Sequence, residues 1–209
     1  MTGFSLLEGY RRFRDVEVVP ERQRWRELAE GQSPEAVIIA CCDSRADPAT
    51  IFDTDPGQIF VVRNVANLVP PYEPGGGRHG VSAALEFAVT VLEIPQIVVM
   101  GHEGCGGIQA SLTGKFANAK HGEGGFVAQW MDLIEGPRAA IAAEHGQGTE
   151  AALLLGEAAI LQSLANLRTF PFVAEREAAG KLTLHGCHFS IFNGQLFLLD
   201  EGKAGFQPV

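Results

Sequence analysis

Two short segments concentrate the side chains that can bind a soft metal ion. The first, Cys41-Cys42-Asp43-Ser44-Arg45, follows the apolar run AVIIA at 36–40; the second, His102-Glu103-Gly104-Cys105, follows IVVM at 97–100. On an extended chain residues i and i+2 point to the same side, so Cys41 and Asp43 can face one ion. His102 and Cys105, three apart at a strand-to-helix turn, can also converge. Two thiolates, an imidazole and a carboxylate make a tetrahedral set that suits Zn²⁺. Thiolates select against Mg²⁺ and Ca²⁺, which prefer oxygen. Four protein ligands close a zinc, however, and a catalytic zinc needs an open position for water. Asp43 is the ligand most easily released, because Arg45 sits two residues on and offers a bidentate partner. With Asp43 swung to Arg45, water fills the fourth position and its pKa falls to roughly 7, which supplies hydroxide near neutral pH. Spacing alone leaves a closed, structural zinc site as the alternative. Cys41-Cys42 are adjacent and face opposite sides, unlike a Cys-x-x-Cys redox pair, and Cys42 is expected to be a small buried apolar residue.

Positioning these segments requires neighbouring strands. Ala36–Ala40, Ile59–Val62 and Ile97–Met100 are short, apolar and β-branched, as fits strands buried on both faces of a parallel sheet. A helix carrying Val81, Ala84, Leu85, Ala88 and Leu92 on one face lies between the second and third, forming a crossover between parallel strands. The site segments then lie at the carboxyl ends of strands, where open α/β sheets place their ligand sites. Residues 150–168 form a wide apolar helix, and Asn193-Gly194 between FSIF and QLFLLD signals a hairpin. Leu6, Tyr10 and Phe13 make one stripe of an N-terminal helix, and a second helix with Pro20 in its first turn ends at Gly31. A two-helix piece ahead of any strand must pack on the body or on a neighbouring subunit. The expected fold class is α/β: a mostly parallel central sheet flanked by helices, with an N-terminal helical arm and a C-terminal antiparallel edge hairpin. One domain over 1–209 is expected.

The 209 residues carry a formal net charge of -9, which argues against a nucleic-acid partner, since phosphate neutralisation needs a basic face. No apolar run reaches the roughly 18 residues that span a bilayer, and no signal peptide is evident at the start. The four cysteines are therefore expected in a reducing, cytoplasmic compartment without disulfides. The stretches 74–80 and 114–125 read as Gly-rich loops, and His79 and His121 within them as surface residues. Cys187 between His185 and His188 reads as core rather than as a second metal site.

The paired motifs, about sixty residues apart, resemble the β-class carbonic anhydrases, and GQSPEAVIIACCDSRADP (31–48), PGQIFVVRNVANLVPPY (56–72), HGVSAALEFAV (79–89) and IVVMGHEGCGG (97–107) are similar to the plant-type branch. The resemblance implies Cys41, His102 and Cys105 as permanent ligands of a Zn²⁺ cofactor. Asp43 and Arg45 take the place of the family's dyad, with Asp43 as exchangeable fourth ligand. Gln32 matches a substrate-binding glutamine, Phe60 and Phe87 an aromatic pocket, and Gly106 an amide facing that pocket. It further implies a pocket built across a dimer interface, with Gln32 and Phe60 from the partner subunit and the arm (1–31) embracing it, in a homodimer or dimer-based oligomer. Tyrosine is frequent in the family where this chain has Phe87. Ile38 stands where the bicarbonate-inhibited branch carries tryptophan, so the open form, with Asp43 on Arg45, is expected. The implied activity is reversible hydration of carbon dioxide to bicarbonate and a proton by zinc-bound hydroxide. Hydrolysis of COS or CS2 on the same scaffold, and a zinc-bearing binding protein without turnover, are the alternatives; the Asp43–Arg45 pair counts against the second.

Overall fold

The computed structural model describes residues 6–75, 77–200, 202–203 and 205–209. The chain opens with α1 (Leu6–Phe13), a π-helical turn (Arg14–Val18) and α2 (Arg22–Glu30), capped by Gly31. Pro20 lies in the turn ahead of α2 rather than in its first turn. No residue of α1 or α2 is buried, and Leu6, Tyr10 and Val16 remain exposed. The first five residues of the expected arm, and Gly76 of the Gly-rich loop, fall outside the described residues.

Next come β1 (Ala36–Cys41), α3 (Pro48–Ile51), β2 (Ile59–Asn64), α4 (Gly80–Glu86), β3 (Gln96–His102), α5 (Gly106–Leu112), α6 (Gly125–Met131), α7 (Glu135–His145), α8 (Thr149–Leu167) and α9 (Pro171–Ala178). The chain ends in β4 (Thr183–Phe189), β5 (Leu196–Leu199) and β6 (Phe206–Pro208). The strands form one sheet in the order β2-β1-β3-β4-β5-β6; β1 to β4 run parallel, and β5 and β6 return antiparallel. The expected α/β class and edge hairpin are therefore present. The order sets β1 directly beside β3, with Ala40 opposite Met100, so the two ligand segments emerge side by side.

Alternation along β1 explains its unbroken apolar run. Val37 and Ile39 face α4, α8 and α9 in a core with Ile97, Val99, Leu85 and Ile160. Ile38 and Ala40 face the other way, toward Met100 and Cys187. A third cluster at the carboxyl ends joins Cys41 and Cys105 to Ile108, Met131 and Leu155. α8 lies deep against the sheet because two strand residues there lack side chains. A Cβ on Gly101 would come within 2.8 Å of Ile160 Cδ1, and one on Gly186 within 2.9 Å of Ile160 Cγ2.

Three local expectations need correction. Beyond Glu86 the crossover helix widens into a π-helical turn (Phe87–Val91). That turn adds Val89 to the buried Leu85 and Ala88 and leaves Phe87 exposed. The hairpin exists, but six residues (190–195) connect β4 and β5 instead of a two-residue Asn-Gly turn. Asn193 Oδ1 accepts from the Gln195 amide, the Ser190 and Gln195 backbones close the loop, and the Ser190 hydroxyl and Phe192 amide donate to Glu103. β6 was not expected: three residues carry too little alternation to register, and Pro208 suits only an edge strand. Among the described residues no helix is long and apolar enough to cross a membrane.

Ile160 is fully buried, so Ile160→Ala is expected to lower unfolding free energy by about 2–5 kcal/mol. Urea denaturation checks this; a loss below about 1 kcal/mol would contradict the packing described.

Candidate metal centre

β1 ends at Cys41, and β3 ends one residue further along the sheet at His102. Gly104, at φ +64, lets the chain reverse and bring Cys105 back as the residue preceding α5. The Sγ atoms of Cys41 and Cys105 lie 3.8 Å apart, and with a ring nitrogen of His102 they form a group whose ligand atoms are all within 4.8 Å of one another. All three side chains are buried.

Donor chemistry and geometry both fit zinc. Two sulfurs at ~2.3 Å from one tetrahedral ion stand about 3.8 Å apart, which matches the Sγ–Sγ distance. His102 Nδ1 is 2.9 Å from the Glu103 carbonyl oxygen. A carbonyl only accepts, so Nδ1 carries the proton and Nε2 presents its lone pair. That Nε2 is buried without a hydrogen-bond partner, a costly state for a polar atom unless an ion completes it.

Electrostatics favour the same occupant. The Cys41 thiol is pulled down to about 4, first by the Cys105 S–H, then, against burial, by His102 and the amides of Asp43 and Ala66. Cys105 is pushed up, because a second negative charge would sit beside the first in a desolvated place. The amides of Gly107 and Ile108 still point at its sulfur. Burial opposes a charged His102, but the Cys41 thiolate and the Glu103 carbonyl outweigh it and raise its pKa. Ala66 holds the left-handed conformation at φ 61, an unfavoured state for a residue with a Cβ, in the segment that supplies an amide to Cys41.

At the mouth, Arg45 Nε and Nη2 donate to Asp43 Oδ1 (2.9 Å) and Oδ2 (2.7 Å), and the Arg45 amide adds a third bond at 3.0 Å. These bonds hold the Asp43 carboxyl well below the usual carboxylate range. Asp43 Oδ2 is 4.0 Å from His102 Nε2, so the dyad borders the ligand cluster. Gly106 follows Cys105, and the space beyond its Cα is open. Its amide is among the N–H groups that a helix start leaves unpaired.

Gln32, Phe60 and Phe87 lie elsewhere in this chain. Phe60 pairs with Val37 across the sheet, four residues before Cys41 and hence about 13 Å away along the strand. Phe87 stacks near Phe60, with ring centroids 6.2 Å apart, and exposed Gln32 precedes β1. One chain therefore assembles the ligands and the dyad but not the aromatic and amide residues. His185 and Cys187 line the rear face while His188 is buried beneath α8, so alternation keeps these three from converging. Burial lifts Cys187 to about 12. Cys42, expected to be buried, is exposed, because its backbone is tied to Asn64 while its side chain points away from the ligand cluster.

Arg63 was missed by sequence reasoning. From β2 its guanidinium donates to the carbonyls of Cys41 (2.9 Å) and Asp43 (2.7 Å) and to Asp47 Oδ2 (2.7 Å), locking the loop that carries both residues. The available signal was a cation ending an otherwise apolar parallel strand, where only carbonyls or an acid can satisfy it.

The Carbonic anhydrase family model matches residues 36–196. A carbonic anhydrase of Pseudomonas aeruginosa is 38% identical over 204 residues, covering 97% of this chain and 90% of that protein. The solved structure of the β-carbonic anhydrase CcaA superposes with a TM-score of 0.90 at 32% identity, covering 98% of both chains. A tetrameric β-carbonic anhydrase of Sordaria macrospora is 26% identical with a TM-score of 0.79, covering 93% of this chain and 95% of its own.

Arg63→Lys keeps the charge but cannot reach three acceptors at once. It is expected to weaken zinc retention about 10–100-fold in chelator competition; unchanged retention would remove Arg63 from the description of the centre.

Proposed function

This chain belongs to the β-carbonic anhydrase family, a zinc lyase that interconverts carbon dioxide and bicarbonate, and from that premise we propose that it is a plant-type member working with the open form of its site. The observation that carries the reading is the bidentate Arg45–Asp43 pair standing beside, and not within, the cluster of Cys41, His102 and Cys105. Ile38 in place of tryptophan supports the same branch.

Cys41, His102 and Cys105 hold the zinc in this reading. The ion supplies Lewis acidity, which makes water a competent nucleophile near neutral pH. Arg45 keeps Asp43 ionised and aimed at the mouth of the site. The carboxylate there accepts a hydrogen bond from the attacking oxygen and fixes which lone pair meets carbon dioxide. The Gly106 amide donates to a substrate oxygen. Phe60 and Phe87 form a small apolar wall, and Gln32 donates a hydrogen bond that orients the substrate.

The distance of Gln32, Phe60 and Phe87 from Cys41 within one chain supports their arrival from a second copy. The uncovered apolar residues of α1 support an arm (residues 1–31) that packs on that copy. Homodimers or dimer-based oligomers of a single-domain chain follow, and the Sordaria relative is tetrameric by its own description. Four free cysteines, none in a disulfide, support a reducing cytoplasmic setting.

Stopped-flow hydration of carbon dioxide tests the reading. Cys105→Ser is expected to lose stoichiometric zinc together with activity, and Asp43→Asn to retain zinc while losing activity about 100-fold. Wild-type turnover in Asp43→Asn would overturn the dyad's role, as would a zinc-loaded crystal at pH 7.5 or above with Asp43 on the metal. Leu6→Asp with Tyr10→Asp is expected to shift sedimentation toward monomer and to cut turnover in parallel; an active monomer would refute the shared pocket.

A further inference from the structure

We propose that Glu103 is a positioning residue that aims the His102 imidazole through the attachment of its carboxylate to the β4–β5 connection. The inference rests on the reading of His102 as a zinc ligand. Glu103 lies between His102 and Gly104, and among the described residues its carboxylate belongs to no metal-binding group. It is instead fastened to the fold at three separate points. Its amide donates to the Phe189 carbonyl at 2.9 Å, at the end of β4. Its own carbonyl accepts the His102 Nδ1 proton at 2.9 Å. Its Oε2 accepts from Ser190 Oγ at 2.6 Å and from the Phe192 amide at 3.3 Å.

These attachments do different things. The carbonyl sets the tautomer and rotation of the imidazole, since an outer partner of a ligating histidine fixes both. The orientation of that carbonyl depends on the 103–104 peptide, and Gly104, in the left-handed region at φ +64, gives the peptide little restraint of its own. The Phe189 bond holds one side of Glu103. The carboxylate holds the other, through a short charge-assisted bond of the strong kind. The same carboxylate anchors the β4–β5 connection, whose backbone is closed by the Ser190 amide on the Gln195 carbonyl (2.8 Å) and the Gly194 amide on the Ser190 carbonyl (2.9 Å). A residue of a ligand turn and a loop some ninety positions later thus form one device.

The test measures zinc affinity by chelator competition and the absorption of the cobalt(II)-substituted protein, for Glu103→Ala, Glu103→Gln, Ser190→Ala and the Glu103→Ala/Ser190→Ala pair. Glu103→Ala and Ser190→Ala are each expected to weaken zinc binding about 10–100-fold and to shift the cobalt ligand-field bands. The pair is expected to be no worse than either single change, because the two share one interaction. Glu103→Gln keeps an acceptor oxygen and is expected to recover most of the affinity. Wild-type affinity with an unshifted cobalt spectrum in Ser190→Ala, which leaves Glu103 itself intact, would overturn the proposal even if Glu103→Ala does not fold. His102→Ala separates the premise from the inference: full zinc retention there would refute the ligand assignment itself, whatever the Glu103 variants do.

Discussion

Two thiols and an imidazole buried with their ligand atoms within 4.8 Å of one another are the constraint around which the rest of this protein is arranged. Negative charge on sulfur inside a core is costly unless positive groups and dipoles face it. The fold supplies them from four directions: amides of the Cys41 loop, of the segment after β2, of the first turn of α5, and the imidazole itself. The adjacency of β1 and β3 brings the sulfurs together. The left-handed Ala66 and the guanidinium of Arg63 then hold the surrounding backbone in place. The donor set so assembled suits a divalent cation.

The division of labour across the sheet follows from strand polarity. Parallel strands send all their carboxyl ends to one side, and the ligands sit there. Phe60 and Phe87 occupy the opposite end, and Gln32 precedes β1. The proposed pocket, shared with a second copy, would reconcile the two ends of the strand. Among the described residues, α1 and α2 bury no side chain within the chain.

Much of this was legible in the residues because two signals are local. Continuous β-branched runs identify strands buried on both faces, and β1, β2 and β3 lie where AVIIA, IFVV and IVVM place them. Cysteine, aspartate, arginine and histidine at short spacing identify a metal site without any knowledge of the fold. What escaped depends on long-range bonds. Arg63 looks like any strand-end cation until the Cys41 loop is seen wrapped around it. Glu103 looks like a filler between two ligands until Ser190, 87 residues later, reaches its carboxylate. Cys42 was assigned by residue type to the interior, whereas backbone direction after Cys41 turns it outward. At Asn193-Gly194 the hairpin loop is closed by Ser190 and Gln195, so the Asn-Gly pair lies within a longer local turn.

The missing side chains at Gly101 and Gly186 set a ceiling on how this enzyme can be improved. Both accommodate the same Ile160, and Gly101 is the residue immediately before a zinc ligand. A side chain at Gly101 would collide with Ile160 and press on α8 at the residue immediately before His102. Thermostabilising effort is better directed to surfaces remote from this helix, because here packing depth and ligand placement are a single adjustable quantity.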